Sequence, residues 1–232
     1  MDRLRLFFVL ATTGVSFFAR PASAAIVVTA EAPRVQSSQV PGLTTETFDN
    51  ITPGHYASIS TAVGTLSSPL AVISAANQFG GAGGNTHFLS VQNVQTITLA
   101  LPGPQIYFGM WWSAADLGNI VDFYSGPTLV GTFVPANTMG ALGNSYLGNP
   151  NPEFPPGDPT EKFAYLNFDG IGGTTFDSIV FKNTDSSTAF EMDNLSILGS
   201  PVPEPSSLFV SGGLALLVAV GAVRQRRVLA VS

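Results

Sequence analysis

Apolar and polar residues alternate with a period of two through the middle of the chain. Across 96–101, Thr96, Thr98 and Ala100 alternate with Ile97, Leu99 and Leu101, the spacing of a half-buried β-strand. Across 105–112, Ile106, Phe108, Met110 and Trp112 share one face, and Tyr107, Gly109 and Trp111 share the other. Short runs rich in aromatic and β-branched residues predict further strands over 120–124, 128–134, 163–168, 176–181 and 190–197. Turn signals separate them at Pro102-Gly103-Pro104, Leu117-Gly118-Asn119, Ser125-Gly126-Pro127, Asp169-Gly170 and Asn183-Thr184-Asp185. A single turn near 74–79 is the only helical period expected in the body. Strands recurring every ~8–12 residues with tight connections predict an all-β fold, an antiparallel β-sandwich or jelly roll. Two stretches break the rhythm: the glycine-rich loop 80–85 and a proline-rich insertion at the rim over 137–159.

The two ends follow a different pattern. Residues 208–223 carry no charge, and as a helix they would span about 24 Å. That predicts a transmembrane helix whose flanking side chains reach the interface. Arg224, Arg226 and Arg227 follow at once and should hold that end in the cytoplasm. At the other end, Arg3 and Arg5 precede the apolar stretch 6–18, and Ala22-Ser23-Ala24 has the small-x-small form of a cleavage site. This is the layout of a secretory signal peptide cut after Ala24; the apolar stretch is too short for a spanning helix. The chain therefore divides into a signal peptide at 1–24, an exported domain at 25–200, a linker at 201–207, a transmembrane helix at 208–223 and a basic cytoplasmic tail at 224–232.

Val202-Pro203-Glu204-Pro205, followed by one hydrophobic span and an arginine cluster, resembles the PEP-CTERM sorting signal of exosortase-dependent bacterial surface proteins. The five residues after the arginines depart from the many such tails that stop there. The resemblance implies export, retention in the inner membrane by the tail, and processing near Pro203-Glu204-Pro205 by a membrane-embedded exosortase. It also implies a final place at the cell surface or in the extracellular matrix, beside exopolysaccharide and biofilm. In the body, the run from Tyr107 to Asn119 and that from Val121 to Gly126 are similar to a subfamily of such proteins, which implies no established activity.

Without its ends the chain is strongly acidic. Residues 25–200 hold 13 acidic side chains against 3 basic ones, Arg34, Lys162 and Lys182, a balance of −10. A domain of that sign is repelled by phosphate backbones, which argues against nucleic-acid partners. There is no cysteine, so thiolate metal sites, cysteine nucleophiles and disulfide staples are excluded.

Candidate chemistry is sparse. Phe48-Asp49-Asn50-Ile51 and Met192-Asp193-Asn194-Leu195 place acids between apolar residues near the two ends of the body. If the terminal strands lie side by side, Asp49, Asn50, Asp193 and Asn194, with Glu191, offer the hard oxygen ligands of a structural calcium ion; Asx turns are the plainer alternative. Tyr107, Trp111 and Tyr124 fall opposite the faces assigned to the core, where exposed rings would stack on sugars while Asn119 and Asp122 bond hydroxyls. The competing expectation is that both tryptophans are core residues. His55 and His87 are the only histidines, no G-x-S-x-G elbow occurs, and a glycosidase carboxylate pair such as Asp122 with Glu191 has no supporting pattern. The expected function is a non-catalytic binding or structural module for extracellular polysaccharide. The alternatives are a surface glycan-active enzyme and a self-associating coat protein.

Overall fold

The computed structural model describes residues 25–83, 86–154 and 158–199. The signal peptide, sorting motif, hydrophobic span and arginine cluster inferred above lie outside these residues. Among the described residues, no helix is long and apolar enough to cross a membrane.

The described chain is all-β and antiparallel. Its strands are β1 (Ala25–Ala30), β2 (Thr44–Glu46), β3 (Gly54–Thr61), β4 (Gly64–Ala75), β5 (His87–Gln92), β6 (Gln95–Ser113), β7 (Asn119–Ser125), β8 (Thr128–Phe133), β9 (Ala164–Ile171), β10 (Phe176–Asn183) and β11 (Ala189–Gly199). A single helical turn, α1 (Pro135–Thr138), and a 3-10 turn, Asn144–Tyr146, lie in the long insertion before β9. The strands predicted from 96 onward are all present. The earlier β1 to β5 were not predicted: β1 is a short, nearly unbroken apolar run without alternation, and small polar residues interrupt the pattern of β3 and β4.

β6 organises the fold. Its first half pairs with β4 and β10, through Leu99↔Leu66 and Leu99↔Ile179. Its second half pairs with β9 and β11, through Phe108↔Phe168 and Met192↔Trp112. The exchange of partners occurs at Pro102-Gly103-Pro104, expected to be a turn. The strand instead runs through it as a bulge: Phe176 lies opposite Gln105, while Ser178 already lies opposite Ala100. The prolines have no N–H to give the ladder, and the surplus residues bend the strand where it changes partners. Asp169-Gly170 is likewise not a turn but the end of β9, facing Val27 and Ile26 of β1. The turn falls instead at Gly172 and Gly173, whose φ of 63° and 84° suits glycine. The helical period expected near 74–79 is replaced by the end of β4 and a turn closed by Asn77 N–H on the Gly80 carbonyl, 3.0 Å.

Aromatic rings fill the core between these strands. Phe108 of β6 touches Phe123 of β7 at 5.9 Å and Phe181 of β10 at 6.1 Å between centroids, and Trp112 stacks on Phe190 of its neighbouring strand β11 at 4.7 Å. Phe108, Met110 and Trp112 belong to the main core, as their alternation predicts. Their outward neighbours are buried too. Trp111 packs with Ala82, Ala114, Phe163 and Tyr165 in a separate small cluster, because the insertion before β9 folds back over that face. Tyr146 of the insertion packs against the main core, and its hydroxyl ties the insertion to the 31–40 segment by donating to the Glu31 carbonyl at 2.7 Å.

Candidate functional site

Over part of the same outward face the covering segments leave a cleft of about 420 Å³. Its floor follows from strand alternation. On β5, Leu89 and Val91 enter the core, which turns Phe88, Ser90 and Gln92 outward into the cleft. On β11, Phe190 and Met192 enter the core, which turns Ala189 and Glu191 outward. Glu191 stands in register with Ser90 on one side and Ser113 on the other.

Three segments make the walls. Asn77 and Phe79 come from the loop after β4, Asp116 from the turn after β6, and Ser187 and Thr188 from the loop before β11; Glu161 closes the side toward the insertion. Asn119 holds two of these together. Its Oδ1 accepts from Trp112 Nε1 at 3.2 Å and from Asp116 N–H at 3.1 Å, and its Nδ2 donates to the Ala189 carbonyl at 3.0 Å. Asn183 shapes the 185–188 loop by donating from Nδ2 to the carbonyls of Asp185 and Thr188 at 3.0 and 2.7 Å. Asn149 fastens the insertion to the far wall through the Asn77 carbonyl, 3.1 Å.

Carboxyls dominate the electrostatics. Burial, then the charge of Asp116, pushes Glu161 up to about 8. Asp116 is also raised, chiefly by burial, while its hydrogen bond with Glu161 opposes the shift. Burial thus outweighs the effect of each carboxyl on its neighbour, and Glu161 is the more strongly raised. Glu191 is only 7% exposed and its Oε2 has no hydrogen-bond partner. Burial is the main cause that pushes it up to about 8, followed by the charges of Asp116 and Glu161.

The residues singled out from sequence are differently placed. Trp111 is 1% exposed and Tyr107 2%, so the expected exposed stacking surface is corrected: the insertion and the 31–40 segment cover both rings. The Tyr107 hydroxyl lies 2.6 Å from Asn167 Oδ1 and 2.8 Å from Ser38 Oγ. Asn119 is fully buried and builds the cleft wall rather than meeting a ligand. Asp122 is buried on β7, paired with Lys182 and accepting from Thr132 Oγ1, and it does not line the cleft. Tyr124 is half-buried on the same strand.

The first and last acidic motifs do come together, since β2 pairs with β11; burial raises the Asp193 carboxyl well above its usual range, and the charges of Asp49 and Glu46 add to that. Their oxygens are occupied by backbone. Asp193 accepts from the N–H groups of Ala82 and Asn194 at 2.8 and 2.7 Å, and Asp49 from that of His87 at 3.2 Å. Asn194 donates from Nδ2 to the Gln36 carbonyl at 2.8 Å, and Asn50 is exposed. Among the described residues, no group of three or more His, Asp or Glu side chains is arranged to hold a metal ion.

Sequence reasoning named Glu191 in another role and missed Asp116 and Glu161 as a pair. They stand 45 positions apart in the chain, and no local motif joins them. In comparison with known proteins, no family model matches the chain and no curated sequence matches it.

Proposed function

We propose that this chain is an exported, exosortase-sorted surface or biofilm-matrix protein whose β-sandwich domain binds extracellular polysaccharide in the cleft, without catalysis. The observation that carries this is the cleft lining. The hydroxyls of Ser90, Ser187 and Thr188 and the amides of Asn77 and Gln92 surround a space of about 420 Å³ beside Phe79, whose ring is 38% exposed. Several converging polar groups beside one exposed apolar ring are what a sugar unit requires. Phe79 takes the stacking role first expected of Trp111.

Export and sorting rest on the signal peptide at 1–24 and on the Pro203-Glu204-Pro205 tail, with 208–223 as the temporary anchor and Arg224, Arg226 and Arg227 as its stop.

The full chain is expected to co-sediment with native exopolysaccharide, and Phe79→Ala to lose most of that retention while melting within about 0.5 kcal/mol of the parent. Retention unaffected by the substitution would sink the assignment to this cleft. A second reading, a glycan-hydrolysing enzyme, is favoured by the raised carboxyls of Asp116 and Glu161 lining one cleft, since a carboxyl kept protonated near neutral pH is the general acid that glycoside cleavage requires. Release of reducing ends from the same polysaccharide would select it. Identical intact masses, tail included, from cells with and without the exosortase would remove the sorting reading.

A further inference from the structure

The cleft gathers acidic side chains with no basic side chain beside them. Asp116, Glu161 and Glu191 line it, and charges on Asp116, Glu161 and Asp158 all oppose ionisation of Glu191. The three basic residues among the described ones are placed elsewhere. Lys182 pairs with Asp122, and Lys162 Nζ donates to the carbonyls of Met139 and Gly140 at 2.7 and 3.2 Å. Arg34 lines a separate small pocket with Tyr146 and Phe163.

Glu191 supplies an independent sign. Its side chain is more than nine-tenths buried, and strand alternation turns it into the cleft. Its Oε2 lacks any partner, although buried polar atoms are almost always hydrogen-bonded. An acceptor left open at the floor of an acidic cleft is matched by a ligand that brings donors and positive charge.

Resting on the polysaccharide reading above, we propose that the cleft binds the ammonium group of a cationic glycan, an amino sugar whose nitrogen is not acetylated, with Glu191, Asp116 and Glu161 accepting its N–H groups. A primary ammonium has donors and no acceptor, which complements carboxyl oxygens surplus to the fold. A lone divalent ion suits the site less well. Among the described residues no set of three carboxylates is arranged to ligate one, and a space of about 420 Å³ beside Phe79 has room for a sugar ring around the charged nitrogen. Because Glu161 and Glu191 keep their protons to about pH 8 in the empty cleft, an arriving ammonium drives protons out.

Calorimetry on the full-length chain in mild detergent tests this, using a glucosamine tetramer, its fully N-acetylated counterpart, spermidine and calcium chloride as probes. The expected result is that the deacetylated tetramer binds at least tenfold more tightly than the acetylated one, with a heat that changes between amine-free buffers of different ionisation enthalpy. Glu191→Gln should weaken that binding at least tenfold without lowering the melting temperature. Asp116→Asn, which keeps Glu191, should weaken it by a smaller factor.

Equal affinity for the two tetramers would overturn the ammonium inference and leave the polysaccharide reading standing. Binding of spermidine and of neither tetramer would overturn the amino-sugar proposal together with the polysaccharide reading and leave a site for a non-glycan amine. Calcium binding with no response to any amine would replace the proposal by an ion site, and unchanged affinity in both variants would overturn it outright.

Discussion

Replacing Glu191 with glutamine should stabilise the protein near neutral pH and do little in acid. Glu191 has its folded-state pKa raised from 4.5 to about 8, mainly by burial. Between those limits the folded chain holds a proton that the unfolded chain has released, so stability falls as pH rises. At about 1.4 kcal/mol per pH unit, the span from 4.5 to 7 removes about 3 kcal/mol through this one group. Glutamine has the same shape and no charge, so the variant escapes the loss. For a domain of this size about 3 kcal/mol corresponds to a shift of about 6–12 °C in melting temperature. Thermal melts of parent and variant at pH 4 and pH 7, in amine-free and calcium-free buffer, read this difference directly. The gap between them should be small at pH 4 and widen in favour of the variant at pH 7. A gap that does not change with pH would refute the account of Glu191 as a buried carboxyl without a partner.

Other consequences concern the shell around the cleft. A Cβ at Gly109 would lie 2.4 Å from the Tyr107 hydroxyl and 2.5 Å from that of Tyr165, so Gly109→Ala should cost about 1–3 kcal/mol; an unchanged denaturant midpoint would contradict that packing. Asn119→Ala strips acceptors from Trp112 Nε1 and Asp116 N–H, and should cost about 1–3 kcal/mol together with the polysaccharide retention that depends on this wall. Full retention in co-sedimentation would show that the wall does not position the site. Trp111→Ala empties the smaller cluster and should cost about 3–5 kcal/mol in denaturant unfolding. A loss below about 0.5 kcal/mol would mean that the ring is not packed as described.

The local pattern alone determined the all-β class, the strands from β6 onward and the inward face of β6, because a period of two has few other readings over short aromatic runs. The acidic balance of the body was likewise plain from composition. What lay opposite the core face was not. Trp111 and Tyr107 alternate correctly away from Phe108 and Trp112, yet whether that second face meets water depends on the insertion before β9 and on the 31–40 segment, and neither carries a periodic signal. Pro102-Gly103-Pro104 shows the same limit, since its prolines forbid a regular ladder but do not decide between a turn and a bulge; β4, β9, β10 and β11 decided for the bulge by pairing with both halves of β6. The acidic cleft belongs wholly to tertiary structure. Asp116, Glu161 and Glu191 are ordinary acids in sequence, and only the burial of one strand face beneath distant loops brings them close enough for the charge of one to oppose the ionisation of another.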